Sequence, residues 1–259
     1  MKSITTSIHS GVATLTLNRP EVFNSFNGEM ALLLQSQLDA CEADPNIRAI
    51  VITGQGKAFC AGQDLKEVTT PELHPGFKKI LEEHYNPIIT RIRAIEKPII
   101  AAVNGVAAGA GANIAIACDI VVASEKASFI QAFSKIGLVP DSAGSFFLPR
   151  LIGFQKASAL MLLGDKVSAA QAQDLGMIYK VFTTETFRQE VLSLALHMAQ
   201  LPTKALGLTK KLLNASFNNT LEQQLALESK LQIQAANSND YKEGVSAFVE
   251  KRKPNFKGN

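Results

Sequence analysis

The sequence predicts an α/β fold that ends in a helical region. Up to residue 123, short apolar runs typical of buried strands alternate with segments in which apolar residues keep helical spacing. This alternation favours parallel strand pairing, because each helix returns the chain to the same edge of the sheet. After Pro140, helix-like segments dominate. We therefore expect a core of residues 1–200 and a C-terminal helical region of residues 201–259.

The elements of the core follow in chain order. Residues 3–9 and Val12–Leu17 are strand-like runs on either side of Gly11, which predicts a hairpin. Asn27 is a suitable N-cap for the helix that follows, and Pro45 ends that helix. The later predictions are strands at residues 47–53, 98–103 and 119–123, a helix at residues 80–95, and a loop at residues 66–78.

Helices are predicted throughout the last third of the chain. Ser168 is a suitable N-cap, and Gly164 and Gly176 are suitable helix stops. The predicted helices cover residues 154–163, 168–175, 185–200, 203–213, 221–234 and 241–251.

The composition excludes several classes of protein. Apolar residues make up 46% of the 259 residues, which is ordinary for a globular domain and excludes a disordered chain. A net charge of +3 argues against nucleic acid as a partner. Three cysteines without a CxxC pair argue against a disulfide framework or a zinc site. No apolar run is long enough to cross a bilayer, and no secretory signal is visible, so we expect a cytoplasmic protein.

Two glycine-containing loops are candidates for chemistry. Gly109-Ala110-Gly111-Ala112 is not a dinucleotide-binding fingerprint, because the third glycine of that motif would fall at Ile114. Small residues at a helix start either leave N–H groups free for an anionic group or allow close packing on a sheet. Gly62 makes an ordinary turn or exposes the N–H of Gln63. Together the loops would supply two converging N–H donors, as in an oxyanion hole.

Asp141 is the candidate acid/base residue. It follows Pro140 and precedes a predicted helix. The residue type and position alone favour a helix N-cap over a general acid/base, since aspartate is a preferred cap. The histidines form no Ser/His/Asp arrangement, and no GxSxG motif is present.

Taken in order, several stretches resemble the enoyl-CoA hydratase/isomerase (crotonase) superfamily. The resemblance implies a spiral of ββα units with a helical C-terminal region that mediates trimers, often paired into hexamers. It also implies that the backbone N–H groups of Gln63 and Ala110 stabilise the enolate of a CoA thioester. The stretches that carry it are Asn18-Arg19-Pro20, residues 58–65, residues 97–105, Asp119-Ile120-Val121 and Gly144.

The acid/base residues distinguish the reactions within this family. Hydratases carry two glutamates at the positions of Asn113 and Phe133, and neither of these residues can act as an acid or base. Asp141 stands where hydratases usually have glycine. The resemblance therefore favours Asp141 as a catalytic group and favours isomerisation over water addition.

A closer resemblance is to family members that isomerise CoA thioesters in phenylacetate catabolism. Those members convert a ring 1,2-epoxide of phenylacetyl-CoA to an oxepin and move 3-enoyl double bonds to the 2-position. Ala143 and Ser145-Phe146 depart from the residues usual after the aspartate, which affects the preferred acyl group. The stretches that carry the resemblance are residues 24–27, 59–65, 85–87, 106–112, 132–141, 148–150 and 241–248.

The same resemblance implies a set of substrate contacts. CoA is part of the substrate, so neither a metal nor another bound cofactor is expected. Phe133 and Phe146 would line an apolar pocket that raises the pKa of Asp141. For each lysine in the set, a solvated surface residue is an equal alternative. The implied contacts are Val22, Phe23, Lys57, Ala61, Asp64, Leu65, Lys66, Asn113 and Phe133, with Phe248 and Lys251 from a neighbouring subunit.

Two other functions stay open at this point. One is a general 3-enoyl-CoA/2-enoyl-CoA isomerase of fatty-acid oxidation. The other is a non-catalytic subunit that binds acyl-CoA or RNA or scaffolds a complex, which the missing glutamate pair suggests.

Overall fold

The computed structural model describes residues 2–259 and contains two β-sheets. The strands are β1 (Ile4–His9), β2 (Val12–Leu17), β3 (Ala49–Gly54), β4 (Ala58–Cys60), β5 (Ile99–Val103), β6 (Val106–Ala108), β7 (Ile120–Ser124), β8 (Ser128–Ile130), β9 (Lys166–Ser168) and β10 (Lys180–Phe182). The larger sheet has the strand order β1-β2-β3-β5-β7-β10, and the smaller sheet has the order β4-β6-β8-β9.

The helices lie between the strands and make up most of the C-terminal part. A π-helical segment, Ile80–Tyr85, joins α3 to α4. No helix within residues 2–259 is long and apolar enough to cross a membrane. The helices are α1 (Gly28–Ala43), α2 (Leu65–Thr69), α3 (Phe77–Lys79), α4 (Asn86–Ala94), α5 (Ala110–Ile116), α6 (Gly144–Ile152), α7 (Phe154–Leu163), α8 (Ala169–Asp174), α9 (Phe187–Ala199), α10 (Thr203–Ser216), α11 (Leu221–Ala236) and α12 (Asn239–Val249).

The chain advances through the two sheets as a spiral of ββα units. The pairs β3-β4, β5-β6 and β7-β8 each place their first strand in the larger sheet and their second in the smaller sheet. Within each sheet, the equivalent strands of successive units pair in parallel. The predicted hairpin is also present, with β1 antiparallel to β2. The predicted parallel α/β core and the spiral are therefore confirmed.

The core of the larger sheet is apolar on both faces, as parallel sheets require. Successive side chains of a strand point to opposite faces, so Ile50 and Ile52 join the main cluster with α1 and α4. Val51 and Ile100 point the other way, into a smaller cluster under α9.

Five strands were not predicted, and each has three residues: β4, β6, β8, β9 and β10. Three residues are too few to show the alternation of apolar and polar side chains that identifies a strand. The loop prediction for residues 66–78 was wrong at both ends, because residues 66–69 belong to α2 and residues 77–78 belong to α3. The Asp64 carboxylate caps that helix by accepting a hydrogen bond from the N–H of Lys66 at 2.9 Å.

The first helix of the C-terminal region is held against the core. Lys210 donates to the carbonyl of Ile92 at 2.6 Å and forms an ion pair with Asp119 at 2.8 Å. The Arg48 guanidinium binds the carbonyl of Leu201 at 2.7 Å. Helices α11 and α12 instead carry exposed apolar residues, among them Leu221, Leu225, Ile233, Phe248 and Val249.

Gly111 marks a close approach of α5 to the smaller sheet. A Cβ on this residue would lie 2.3 Å from the carbonyl oxygen of Cys60 and 2.7 Å from its Sγ. The backbone of β4 cannot yield without breaking its pairing with β6. We expect Gly111→Ala to lower the free energy of unfolding in urea by about 3 kcal/mol, as overpacked cores do.

Gly244 provides the matched control, because it is also a helical glycine. A Cβ there would meet Phe256 at 3.4 Å, an ordinary contact, so Gly244→Ala should raise the free energy of unfolding by about 1 kcal/mol. Equal effects of the two substitutions would contradict the close approach of α5 to β4.

Candidate active site

The loop after β4 and the loop after β6 lie against each other because their strands pair. Gly62 has a φ of +94°, and a Cβ on it would lie 3.0 Å from the carbonyl oxygen of Ala108 and 3.6 Å from the nitrogen of Ala110. Within the described residues, the N–H groups of Gln63 and Ala110 have no hydrogen-bond acceptor. The structure therefore brings the two predicted N–H donors onto neighbouring loops, which is the arrangement that an oxyanion hole requires.

The Gln63 loop is held on its outer side by the segment before α1. The N–H of Phe26 donates to the carbonyl of Gly62 at 2.7 Å, and the N–H of Asp64 donates to the carbonyl of Phe26 at 2.8 Å. The Arg19 guanidinium forms an ion pair with Asp64 at 2.7 Å. These bonds fix the backbone on both sides of Gln63 and so fix the direction of its N–H.

Asp141 does not cap a helix. Helix α6 begins at Gly144, its N-cap position is Ala143, and no side chain bonds to its first turn. Ser142 and Ala143 both have left-handed backbone conformations, with φ of 50° and 58°. Each such conformation costs a non-glycine residue about 1–2 kcal/mol. The N-cap interpretation of Asp141 is therefore wrong, since two further residues separate it from the helix.

The environment of Asp141 suits a proton-transfer group. Burial raises the pKa of its carboxyl from 3.8 to about 6, and a hydrogen bond from the Ser142 hydroxyl at 2.8 Å opposes that rise. No lysine or arginine among residues 2–259 forms an ion pair with it. A carboxylate whose pKa lies near neutrality can accept and return a proton at physiological pH.

Asn113 holds the backbone of Asp141. Its Nδ2 donates to the carbonyl oxygen of Asp141 at 2.8 Å, and its Oδ1 accepts from Gln131 at 2.8 Å. A Cβ on Gly144 would lie 2.3 Å from that Nδ2, so the Asn113 amide fills the space that a side chain at residue 144 would need. The resemblance implies that Asn113 contacts the substrate. In the structure Asn113 is instead 0% exposed, and both polar atoms of its amide bind protein groups.

The two phenylalanines of the predicted pocket have different surroundings. Phe133 is buried, and a Cβ on Gly109, the residue before Ala110, would lie 3.7 Å from its ring. Phe146 packs edge-on against Phe147 and Phe217, with centroid distances of 5.1 and 5.5 Å. No ring contact joins Phe146 to Phe133 in the described part of the chain.

The predicted CoA contacts form one group near the loops and another on α12. Phe23 accepts a hydrogen bond from the N–H of Ala61 at 3.0 Å, which places it and the preceding Val22 next to the Gln63 loop. The Asp64 carboxylate is engaged with Arg19 and the start of α2. The exposed members of the set are Phe23, Lys57, Leu65 and Lys66, with Phe248 and Lys251 at the end of α12.

Two side chains that were not predicted as site residues, Tyr85 and Glu67, contact the amide of Gln63. Tyr85 donates its hydroxyl to Gln63 Oε1 at 2.9 Å, and Gln63 Nε2 donates to Glu67 Oε2 at 2.7 Å. Tyr85 lies in the π-helical segment, where the usual spacing of residues on a helix face does not hold. A periodicity of 3.6 residues could not indicate that its side chain reaches Gln63.

Comparison with known proteins identifies the family. The family model described as enoyl-CoA hydratase/isomerase matches residues 7–259. The chain is 48% identical to the 1,2-epoxyphenylacetyl-CoA isomerase of Escherichia coli (strain K12), over 100% of this chain and 99% of that protein. It is 38% identical to a mitochondrial enoyl-CoA hydratase of Pongo abelii, over 95% of this chain and 83% of that protein.

A solved structure agrees with this assignment. The enoyl-CoA hydratase from Polaromonas sp. JS666 superposes with a TM-score of 0.91 at 35% identity, covering 98% of this chain and 99% of that one. The same family is therefore indicated by the ββα spiral, by the two facing loops and by the match over nearly the whole chain. The chain belongs to the enoyl-CoA hydratase/isomerase family, with the crotonase fold, and is an enzyme that acts on CoA thioesters.

Proposed function

We propose that the chain is an isomerase of CoA thioesters in which Asp141 is the one acid/base group. Its main reaction converts ring 1,2-epoxyphenylacetyl-CoA to oxepin-CoA in phenylacetate catabolism, and it also converts 3-enoyl-CoA to 2-enoyl-CoA. The observation that carries the proposal is the partly buried carboxyl of Asp141, with its raised pKa, together with an amide at 113 and a phenyl ring at 133. The 48% identity to a protein named for the epoxide reaction supports the substrate.

The double-bond shift follows from the two loops and the carboxylate. The thioester oxygen accepts hydrogen bonds from the N–H groups of Gln63 and Ala110. Asp141 removes a proton from C2, and the electron pair delocalises into the thioester as an enolate. Asp141 then returns a proton to C4, so that the double bond moves from C3–C4 to C2–C3. Each N–H donor contributes about 2.7–4 kcal/mol of transition-state stabilisation.

The same groups serve the epoxide. The two N–H donors stabilise the enolate-like charge that develops on the thioester when Asp141 removes the C2 proton. Asp141 returns one proton to a carbon of the ring as it opens and expands, so the product is an isomer of the substrate. Phe133 excludes water beside Gly109, which strengthens both hydrogen bonds to the thioester.

Water addition is disfavoured by the same geometry. Hydration needs a group that activates water and a second group that delivers a proton to C2. The amide of Asn113 is hydrogen-bonded to Asp141 and Gln131, and the phenyl ring of Phe133 carries no exchangeable proton. Asp141 alone cannot fill both roles at once.

CoA lies beside the Gln63 loop and contacts more than one subunit. The pantetheine and adenine parts lie along Val22, Phe23 and Ala61, with Lys57 and Lys66 near the phosphates. Phe248 and Lys251 come from a neighbouring subunit of a trimer or a dimer of trimers. No resident cofactor takes part, because CoA arrives with the substrate, and the enzyme works in the cytoplasm.

Substrate competition tests the proposed reaction. Purified protein is given the ring epoxide of phenylacetyl-CoA and a straight-chain 3-enoyl-CoA together, and both products are followed by mass spectrometry. We expect both to be isomerised, with the higher kcat/KM for the epoxide. A strong preference for the straight chain would indicate a general isomerase of fatty-acid oxidation. Absence of turnover and of acyl-CoA binding would indicate a non-catalytic subunit.

The pH dependence of the isomerisation reports on Asp141. The base must be ionised to take the C2 proton, so kcat/KM should be level above the pKa and fall about tenfold per pH unit below it. The expected midpoint is about 6, which is the pKa that burial gives Asp141. A midpoint near 4 would contradict a desolvated carboxyl as the base.

A further inference from the structure

We infer that Tyr85 is a positioning residue for the oxyanion hole and acts through the side-chain amide of Gln63. This inference rests on the proposed function, because it assigns a role within the site that stabilises the enolate. In the proposed reaction Asp141, and not Tyr85, exchanges protons with the substrate carbons. Its effect is on the residue whose backbone N–H binds the thioester oxygen.

The amide of Gln63 is held at both ends. The Tyr85 hydroxyl donates to Oε1 at 2.9 Å, and Nε2 donates to Glu67 Oε2 at 2.7 Å. The Glu67 carboxylate can only accept, so it faces Nε2 of the amide, and Oε1 is left to accept the proton of the Tyr85 hydroxyl. Rotation of the side chain would break both bonds together.

Glu67 connects this amide to the start of α1. Its other oxygen, Oε1, accepts a hydrogen bond from the N–H of Gly28 at 2.8 Å. The path from Tyr85 through Gln63 and Glu67 therefore ends on the backbone of a long helix whose core face is buried. Such a path ties Gln63 to an element that lies outside its own loop.

A second contact of Tyr85 acts on the same residue from the backbone side. Its ring packs edge-on against Phe26, with a centroid distance of 6.0 Å. Phe26 is the residue whose N–H and carbonyl bond to Gly62 and Asp64, on either side of Gln63. Tyr85 thus restrains Gln63 through its side chain and through its backbone neighbours.

The π-helical segment explains how Tyr85 reaches this place. Tyr85 is the last residue of Ile80–Tyr85, and α4 resumes after it with Ile88 and Ile92 buried in the core. A π-helical turn adds a residue to the helix and shifts the side chains that follow, and such turns recur at functional sites. Tyr85 is 1% exposed, so its hydroxyl bond to Gln63 is protected from water.

If Tyr85 positions Gln63, losing its hydroxyl should lower the rate of catalysis. A donor of an oxyanion hole must be held close to the place where charge develops, and a misplacement of about 1 Å can cost about a hundredfold in rate. Loss of the Tyr85 hydroxyl frees one end of the Gln63 amide and leaves the ring packing in place. Substrate binding through CoA is unaffected, because the CoA path lies on other residues.

The test compares Tyr85→Phe with the parent and with Tyr179→Phe, a tyrosine that is exposed on the surface. Two signals are measured: kcat and KM with a 3-enoyl-CoA, and the shift to longer wavelength of cinnamoyl-CoA absorbance on binding, which reports polarisation of the thioester carbonyl. We expect kcat of Tyr85→Phe to fall about 10- to 100-fold with KM changed by less than about threefold. The absorbance shift should shrink, and the pH midpoint should stay near 6.

A Gln63→Met variant, which removes the amide but keeps the chain length, should reproduce both losses, whereas Tyr179→Phe should match the parent. Parent-like kcat and absorbance shift in Tyr85→Phe would overturn the inference, as would a loss that only follows the unfolded fraction in circular dichroism. If the parent shifts the absorbance but turns over no substrate, the proposed reaction fails while the shift in Tyr85→Phe still decides the role of Tyr85. If the parent gives no shift, both fail.

Discussion

The Asp141→Asn variant is expected to lose about 10²- to 10⁴-fold in kcat for the 3-enoyl to 2-enoyl isomerisation and still to bind acyl-CoA. Asparagine has nearly the same shape as aspartate but cannot accept a proton from C2. The two N–H donors and the CoA path are unchanged, so KM should change little. Initial rates are followed by the ultraviolet absorbance of the conjugated thioester, and binding is measured by calorimetry.

The same substitution should stabilise the fold at neutral pH. Burial raises the pKa of Asp141 from 3.8 to about 6, so the cost of ionising it in the folded chain develops as pH rises from about 4 to about 6 and is complete above that. A neutral amide removes this cost, which is up to about 3 kcal/mol. Urea unfolding should therefore show the variant more stable at pH 8 than the parent, with the difference shrinking towards pH 4.

Asp165→Asn is the control for both measurements, because Asp165 is an exposed aspartate on the surface. It should match the parent in kcat and in unfolding. An Asp141→Asn variant with the parent's rate would remove Asp141 from the chemistry. A variant that is both inactive and less stable would indicate a structural defect and would contradict the desolvated carboxyl.

The Ala110→Pro variant should lose at least about a hundredfold in kcat/KM, because proline lacks the N–H that binds the thioester oxygen. Ala110 is the first residue of α5, a position where proline is well tolerated. The proline ring also occupies the space in front of the nitrogen, so the shift in cinnamoyl-CoA absorbance should disappear as well. Circular dichroism should remain that of the parent.

Leu221→Pro is the matched control, since Leu221 is the first residue of α11 and follows an extended Thr220 that suits a proline. It should fold and keep the parent's activity. If Ala110→Pro folds and keeps both activity and the absorbance shift, the N–H of Ala110 is not part of the oxyanion hole.

Local signals in the sequence explain which elements could be predicted. Asn27 and Ser168 are N-caps in the structure as predicted, because their side chains bond to residues within the next turn. The strands of five or six residues, such as β3 and β5, show their apolar character over enough positions to be recognised. The three-residue strands do not, since their stability comes from pairing with distant segments.

The candidate site depends more on contacts between distant residues. The loops at Gly62 and Gly109 could be predicted as separate turns, but the pairing of β4 with β6 is what brings them together. Residue type alone indicated a cap at Asp141, and the left-handed conformations of Ser142 and Ala143 move the helix start away from it. The contact between Tyr85 and Gln63 spans 22 residues and a π-helical turn, so no periodic pattern could reveal it.

The most direct test of a single-carboxylate isomerase is the product formed from a straight-chain 3-enoyl-CoA in water enriched in oxygen-18. Mass spectrometry follows the first products of the parent enzyme. The account predicts that 2-enoyl-CoA accumulates and that no labelled 3-hydroxyacyl-CoA forms at a comparable rate. Labelled 3-hydroxyacyl-CoA that appears as fast as the conjugated thioester would show that the enzyme activates water, and would contradict isomerisation by Asp141 alone.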